Sequence, residues 1–302
     1  MRIGVAATPD VAIPTLNWLN GSRHELVRVI SQPDRPAGRG QSLKPSPVSQ
    51  WALAAGVDLV RPLTPEDLDR AIKDLQLLVT IGYGRILPQQ SLSLPAFGCI
   101  NLHFSLLPQY RGAAPVQRAL EAGEMQTGVT VFKLDAGVDT GPIYSSRVID
   151  IDPMFRSSEV FTQLSIIGVD VVKEAIELIS AGGNPHEQVG IASHAGKIFR
   201  EEAKIAWDLP ATLTLNKIRG FYPAPIAWTT FRDQILKITS ARLHRPLLAL
   251  KPGEILLSNN ILLIGTEQGA LEIDSVIPAG KKEMSGVEWA RGARFESGEL
   301  CG

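Results

Sequence analysis

Residues 2–122 alternate between short apolar runs and helix-like runs with recognisable ends, and this alternation constrains the fold more than any other feature of the chain. Arg2–Ala6 reads as a strand, and Val11–Leu19 as a helix with Gly21 where a C-terminal cap belongs. Glu25–Ser31 alternates with period two, as a half-buried strand does. Val48–Ala55 is a helix ending at Gly56, and Thr64-Pro65 pairs an N-cap with a proline at the first helical position. Leu75–Ile81 is almost continuously apolar, the mark of a strand covered on both faces of a parallel sheet. Gly98–His103 adds a further strand and Pro115–Ala122 a further helix. Strand, helix, strand, helix predicts a doubly wound, Rossmann-like α/β sheet.

The pattern stops between Gln32 and Pro47, where Pro33, Pro36, Gly38, Gly40, Pro45 and Pro47 alternate with Arg35, Arg39 and Lys44. A long loop directly after a strand lies at the ligand edge of an open α/β sheet, and long patternless loops serve function or stand in solvent. Thr127–Leu134 and Pro142–Asp150 read as two more strands joined by the turn Asp135–Gly141, and Glu159–Ser180 as a long helix. Residues 185–204 carry no period and read as a linker between a first domain, 1–184, and a second, 205–302. In the second, a short helix near Leu213–Arg219 precedes Trp228–Phe231, Ile235–Ala241, Ile261–Ile264 and Ala270–Ile277. Short strands with Gly and Pro turns predict a small β-barrel of OB-like type.

Composition removes several classes of function. With 30 Lys plus Arg against 31 Asp plus Glu, the net charge is −1, so nucleic acid cannot be held by bulk attraction and must meet local patches. Cys99 and Cys301 are too few for a disulfide framework and lack zinc-site spacing, which suits a reducing cytoplasm and predicts no metal. No apolar run has the length of a membrane span, so a soluble protein without membrane contact is expected.

Asn101 and His103 stand two apart on one strand and therefore share a face near its carboxyl end. An amide beside an imidazole can hold a developing oxyanion and move a proton. The plainer alternative is a core histidine bonded to a backbone carbonyl. Asp139, in the turn LDAGVDTGP, could orient that imidazole or could merely close its own turn. Asp139-Thr140-Gly141 also matches the aspartic-protease triplet, but no second DTG or DSG occurs, so that chemistry would require a dimer. Gly82-Tyr83-Gly84 lacks the third glycine of a dinucleotide fingerprint, which argues against a nicotinamide cofactor.

Two longer stretches, INLHFSLLPQYRGAAPVQRAL and LDAGVDTGPIY, resemble the core of the folate-dependent formyltransferases. The opening VAATPDVAIPTL and the loop SQPDRPAGRGQSLKPSPV narrow the resemblance to the members that formylate methionyl-tRNA. FREEAKIAWDLPA, IRGFYPAPIAWT and GALEIDSVIPAGKKEMSG are similar to their second domain, so the resemblance covers nearly the whole chain. Ala7, Gly82, Arg85 and Phe104 depart from the usual pattern.

The resemblance implies a formyltransferase domain followed by a tRNA-binding barrel. It makes Asn101, His103 and Asp139 the catalytic trio and Ser105, Leu106, Leu107 and Pro108 the folate-binding segment. It places Arg39 at the basic position that meets the tRNA acceptor end; Arg35 and Lys44 flank it, and Lys281 and Lys282 would add a contact from the second domain. The implied reaction passes the formyl group of 10-formyltetrahydrofolate to the α-amine of initiator methionyl-tRNA, without metal and without a stable protein partner. A 10-formyltetrahydrofolate hydrolase, a sugar-amine formyltransferase and a non-catalytic RNA-binding protein on the same scaffold are the alternatives.

Overall fold

A computed structural model describes residues 1–37 and 42–302. By internal packing the chain divides into two units, one made of residues 1–112, 127–149 and 161–194, the other of 113–126, 150–160 and 195–302.

In the first unit, β1 (Arg2–Ala7), α1 (Ile13–Asn20), β2 (Glu25–Ile30), β3 (Arg35–Ala37), β4 (Ser42–Lys44), α2 (Pro47–Ala55), β5 (Leu59–Val60), α3 (Pro65–Ile72), β6 (Leu77–Ile81), β7 (Cys99–His103) and β8 (Arg111–Gly112) follow in order. After α4 (Pro115–Ala122), which belongs to the second unit, come β9 (Gln126–Lys133), β10 (Ile143–Asp150), α5 (Ser157–Ser180) and β11 (His194–Ala195). Seven strands form one sheet in the order β10-β9-β7-β6-β1-β2-β5. Strands β7, β6, β1, β2 and β5 run parallel, and β9 turns antiparallel against β7. Ile3, Val5, Leu77, Leu78, Val79 and Ile81 are wholly buried, as central strands with both faces covered require. The chain leaves β1 toward β2 and later returns on its other side to β6, so a crevice opens at the carboxyl ends of these strands.

Local signals behave as their chemistry dictates. Thr64 caps α3 with a full capping box to Asp67, Ser46 caps α2, and Gly56 ends α2 in the left-handed region at φ 67°. The stretch expected to be an unbroken loop instead holds the two-stranded ribbon β3–β4, with Arg35 opposite Lys44 and Pro36 opposite Leu43. The supposed linker is likewise built in: His186 and Ile143 exchange two backbone hydrogen bonds, 2.7 and 2.9 Å.

In the second unit, α6 (Ala211–Gly220), β12 (Trp228–Phe231), β13 (Gln234–Leu243), β14 (Ile255–Ser258), β15 (Ile261–Gly265), β16 (Ala270–Pro278), β17 (Met284–Ser285) and α7 (Gly286–Ala293) follow. Their antiparallel sheet runs β12-β13-β16-β15-β14, with β17 also on β16, and two register shifts in β13 curl it. Ile238, Leu262, Ile264, Ile273 and Trp289 fill its core, where Trp289 meets Phe231 edge to face at 5.3 Å. Among the described residues no helix is long and apolar enough to cross a membrane.

Candidate active site

The carboxyl end of β7 carries the polar cluster. Register sets Thr80 of β6 beside Asn101, and the buried Thr80 hydroxyl donates to Asn101 Oδ1 at 2.9 Å. That bond turns the amide so that Nδ2, which makes no hydrogen bond among the described residues, has its donors available. Two residues on, on the same face, His103 is 5% exposed. Its Nε2 lies 2.9 Å from the Tyr110 carbonyl oxygen and its Nδ1 3.6 Å from Asp139 Oδ2.

These contacts fix the protonation logic. A carbonyl oxygen only accepts, so the neutral ring carries its proton on Nε2 and turns the Nδ1 lone pair toward Asp139. Burial pushes the His103 pKa below its ordinary 6.5, against the pull of the Asp139 carboxylate and the Tyr110 carbonyl. The resting ring is therefore neutral. A proton arriving at this pair finds an imidazole nitrogen and a carboxylate facing one another. The ring is bonded to a backbone carbonyl and also faces Asp139.

Asp139 is held in turn. Its backbone sits at φ 54°, and the Gly112 N–H donates to Oδ2 at 2.7 Å. Its turn is closed on one side by Asp135, which accepts from Gly137 N and Thr140 Oγ1 at 3.1 and 2.7 Å. On the other side a Cβ at Gly141 would collide with the Lys133 carbonyl oxygen. Gln188 then donates to the carbonyl oxygens of Asp139 and Gly141 at 3.0 and 2.8 Å.

The segment 105–108 forms a tight turn after β7. Ser105 Oγ donates to the Gln109 carbonyl, Thr130 Oγ1 donates to the Ser105 carbonyl, and Leu107 N donates to Thr130 Oγ1. Leu107 packs with Phe132 and Ile143, Pro108 is buried, and Leu106 is half-buried. Arg35 and Lys44 are exposed on the ribbon and line a cavity of about 420 Å³ with Thr8, Gln32 and Tyr83. Arg39 lies outside the described residues. Lys281 and Lys282 are exposed on the turn after β16 in the second unit. Among the described residues no three His, Cys, Asp or Glu side chains cluster as metal ligands.

The structure thus brings Asn101, His103 and Asp139 together, and adds Thr80, Gly112, Tyr110 and Gln188, which sequence reasoning missed. Register between strands places Thr80, the two-residue strand β8 places Gly112, and irregular backbone places Tyr110 and Gln188; none leaves a periodic trace.

Comparison with known proteins identifies the family. Residues 1–176 match the formyl transferase family, and residues 197–294 match its C-terminal domain. The methionyl-tRNA formyltransferase of Streptomyces griseus is 39% identical over 312 residues, covering 100% of both chains. That of Salinispora tropica is 40% identical over 308 residues, 99% of each. In fold, an N-formyltransferase of Helicobacter canadensis, solved with folinic acid and dTDP-3-aminofucose, matches with a TM-score of 0.70 at 18% identity, over 94% of this chain and 100% of its own. Family models on both units and end-to-end identity near two-fifths place this chain in the formyl transferase family, among the methionyl-tRNA formyltransferases.

Proposed function

We propose that this chain transfers the formyl group of 10-formyltetrahydrofolate to the α-amine of initiator methionyl-tRNA, in the cytoplasm, giving the formylated tRNA that starts translation. The observation that carries the reading is the buried His103 facing the half-buried Asp139, with the Asn101 amide on the same strand face as His103. Fold alone does not separate a tRNA acceptor from a sugar amine, since the Helicobacter canadensis enzyme shares it at 18% identity. Full-length identity of 39–40% to methionyl-tRNA formyltransferases favours the tRNA.

The residues suit acyl transfer to an amine. Asn101 Nδ2 donates to the formyl oxygen as the amine adds and negative charge gathers there. Asp139, backed by His103, takes the proton the amine must lose, and the pair delivers one to the departing folate nitrogen. Neutral His103 is the competent resting form, because an already protonated ring would compete for Asp139. Holding both substrates at one strand end supplies the proximity term. The turn 105–108 spends Ser105 and Leu107 on its own closure, so its backbone and the half-buried Leu106 form the folate-facing wall. Arg35, Arg39 and Lys44 meet the acceptor end of the tRNA, and Lys281 and Lys282 meet its backbone elsewhere.

The test is product analysis by mass spectrometry with 10-formyltetrahydrofolate, with and without methionyl-tRNA. Formylmethionyl-tRNA should accumulate only when the tRNA is present. Formate released equally fast without it would make the protein a hydrolase.

A further inference from the structure

Gln188 lies in the segment that reads as a linker, yet one end of its amide reaches the Asp139 turn and the other meets Arg111. Its Oε1 accepts from Arg111 Nε and Nη2 at 3.2 and 2.6 Å. A guanidinium has only donors, so it can meet the oxygen end of the amide and never the nitrogen end. Nε2 is thereby aimed at the carbonyl oxygens of Asp139 and Gly141. A non-glycine residue at φ 54° is disfavoured, and surrounding structure must hold it there. Arg111 is fixed in its own right, since its backbone N–H donates to the Ser193 carbonyl at 2.9 Å and Tyr110 N donates to Ser193 Oγ at 2.8 Å.

We propose that Gln188, oriented by Arg111, is a positioning residue that clamps the Asp139 turn so that the carboxylate faces His103. Residues 186–193 are then part of the catalytic apparatus, and the first unit's site is incomplete without them. The clamp pulls on the backbone of Asp139 while Gly112 N holds its side chain, so the carboxylate is fixed at two points. Its role in turnover rests on the formyl-transfer reading above.

The test has two arms. In steady-state formylation with methionyl-tRNA and 10-formyltetrahydrofolate, Gln188→Ala should lower kcat about 10–100-fold, the cost of misplacing a catalytic group by about an ångström, with KM for both substrates near wild type. In an Asp139→Ala background the same change should add nothing, because Gln188 acts through Asp139. Should Gln188→Ala fail to fold, Gln188→Glu carries the arm: it keeps length and the Arg111 contact but sets an acceptor against two carbonyl oxygens, and should lose turnover similarly. The second arm needs no turnover. NMR titration of the His103 ring should show its midpoint moving further down in Gln188→Ala, as the carboxylate that raises it swings away. A wild type that formylates nothing would sink the proposed function and leave the clamp to the titration. Wild-type kcat, a loss that multiplies onto Asp139→Ala, or an unmoved His103 midpoint overturns the clamp.

Discussion

Two parts of the first unit treat polar side chains in opposite ways. At the end of β7, His103 is buried and faces the half-buried Asp139, and both are tied to backbone: His103 to the Tyr110 carbonyl, Asp139 to Gly112 N. On the ribbon β3–β4, Arg35 and Lys44 stand exposed and make no ion pair among the described residues. The difference follows from what each must do. Proton transfer and oxyanion stabilisation need groups already in place before charge moves, and low exposure strengthens them. Cations that meet a phosphate backbone must instead remain hydrated and uncommitted, since a partner on the protein would have to be given up first.

The largest effect that can break this contrast is at the end of β7. Asp139→Ala or His103→Ala should lower kcat by about 10²–10⁴-fold, the range of one general acid–base group, with circular dichroism unchanged. Near-wild-type turnover in either would remove it from the chemistry. On the exposed side, Arg35→Ala and Lys44→Ala should each raise KM for methionyl-tRNA and leave KM for 10-formyltetrahydrofolate alone. Each should also flatten the salt dependence by about one unit of slope. Equal effects on both substrates would return the ribbon to solvent.

Thr80→Val sharpens the account of the strand end further. It keeps the shape and removes the hydroxyl that orients Asn101, so kcat should fall by about 3–10-fold and stability by about 1 kcal/mol. Unchanged kcat would mean that Asn101 needs no such support. The smallest effect is on pH. His103 has its ordinary pKa of 6.5 in the unfolded chain and a lower one when folded, so below 6.5 the unfolded state binds more protons. Its contribution to stability is present above pH 6.5 and is lost as pH falls through the lower folded value. Urea unfolding across that window should show the decline in wild type and lose that part of it in His103→Gln.

The same contrast explains what the sequence made legible. Asn101 and His103 stand out because a strand repeats every two residues, and Asp139 because glycines bracket its turn. The parallel sheet follows from apolar runs such as Leu77–Ile81. Gln188 was hidden because the partners of its Nε2 are carbonyl oxygens, which every residue has, and no side-chain pattern announces them. Thr80 was hidden because the register of β6 against β7 is a long-range fact. The ribbon was hidden behind its prolines: Pro36 reads as a breaker, yet a two-stranded ribbon has an outer edge where a residue without an N–H can sit.

Single-turnover formyl transfer at saturating methionyl-tRNA tests the separation of chemistry from tRNA capture most directly. Wild type, the Arg35→Ala/Lys44→Ala double variant and Asp139→Ala would be compared with pre-bound 10-formyltetrahydrofolate. The double variant should reach the wild-type rate once tRNA saturates, while Asp139→Ala should stay about 10²–10⁴-fold slower at any tRNA concentration. A double variant that saturation cannot restore, or an Asp139→Ala enzyme that it does restore, would contradict the assignment of chemistry to the trio Asn101, His103 and Asp139 and of capture to the exposed ribbon.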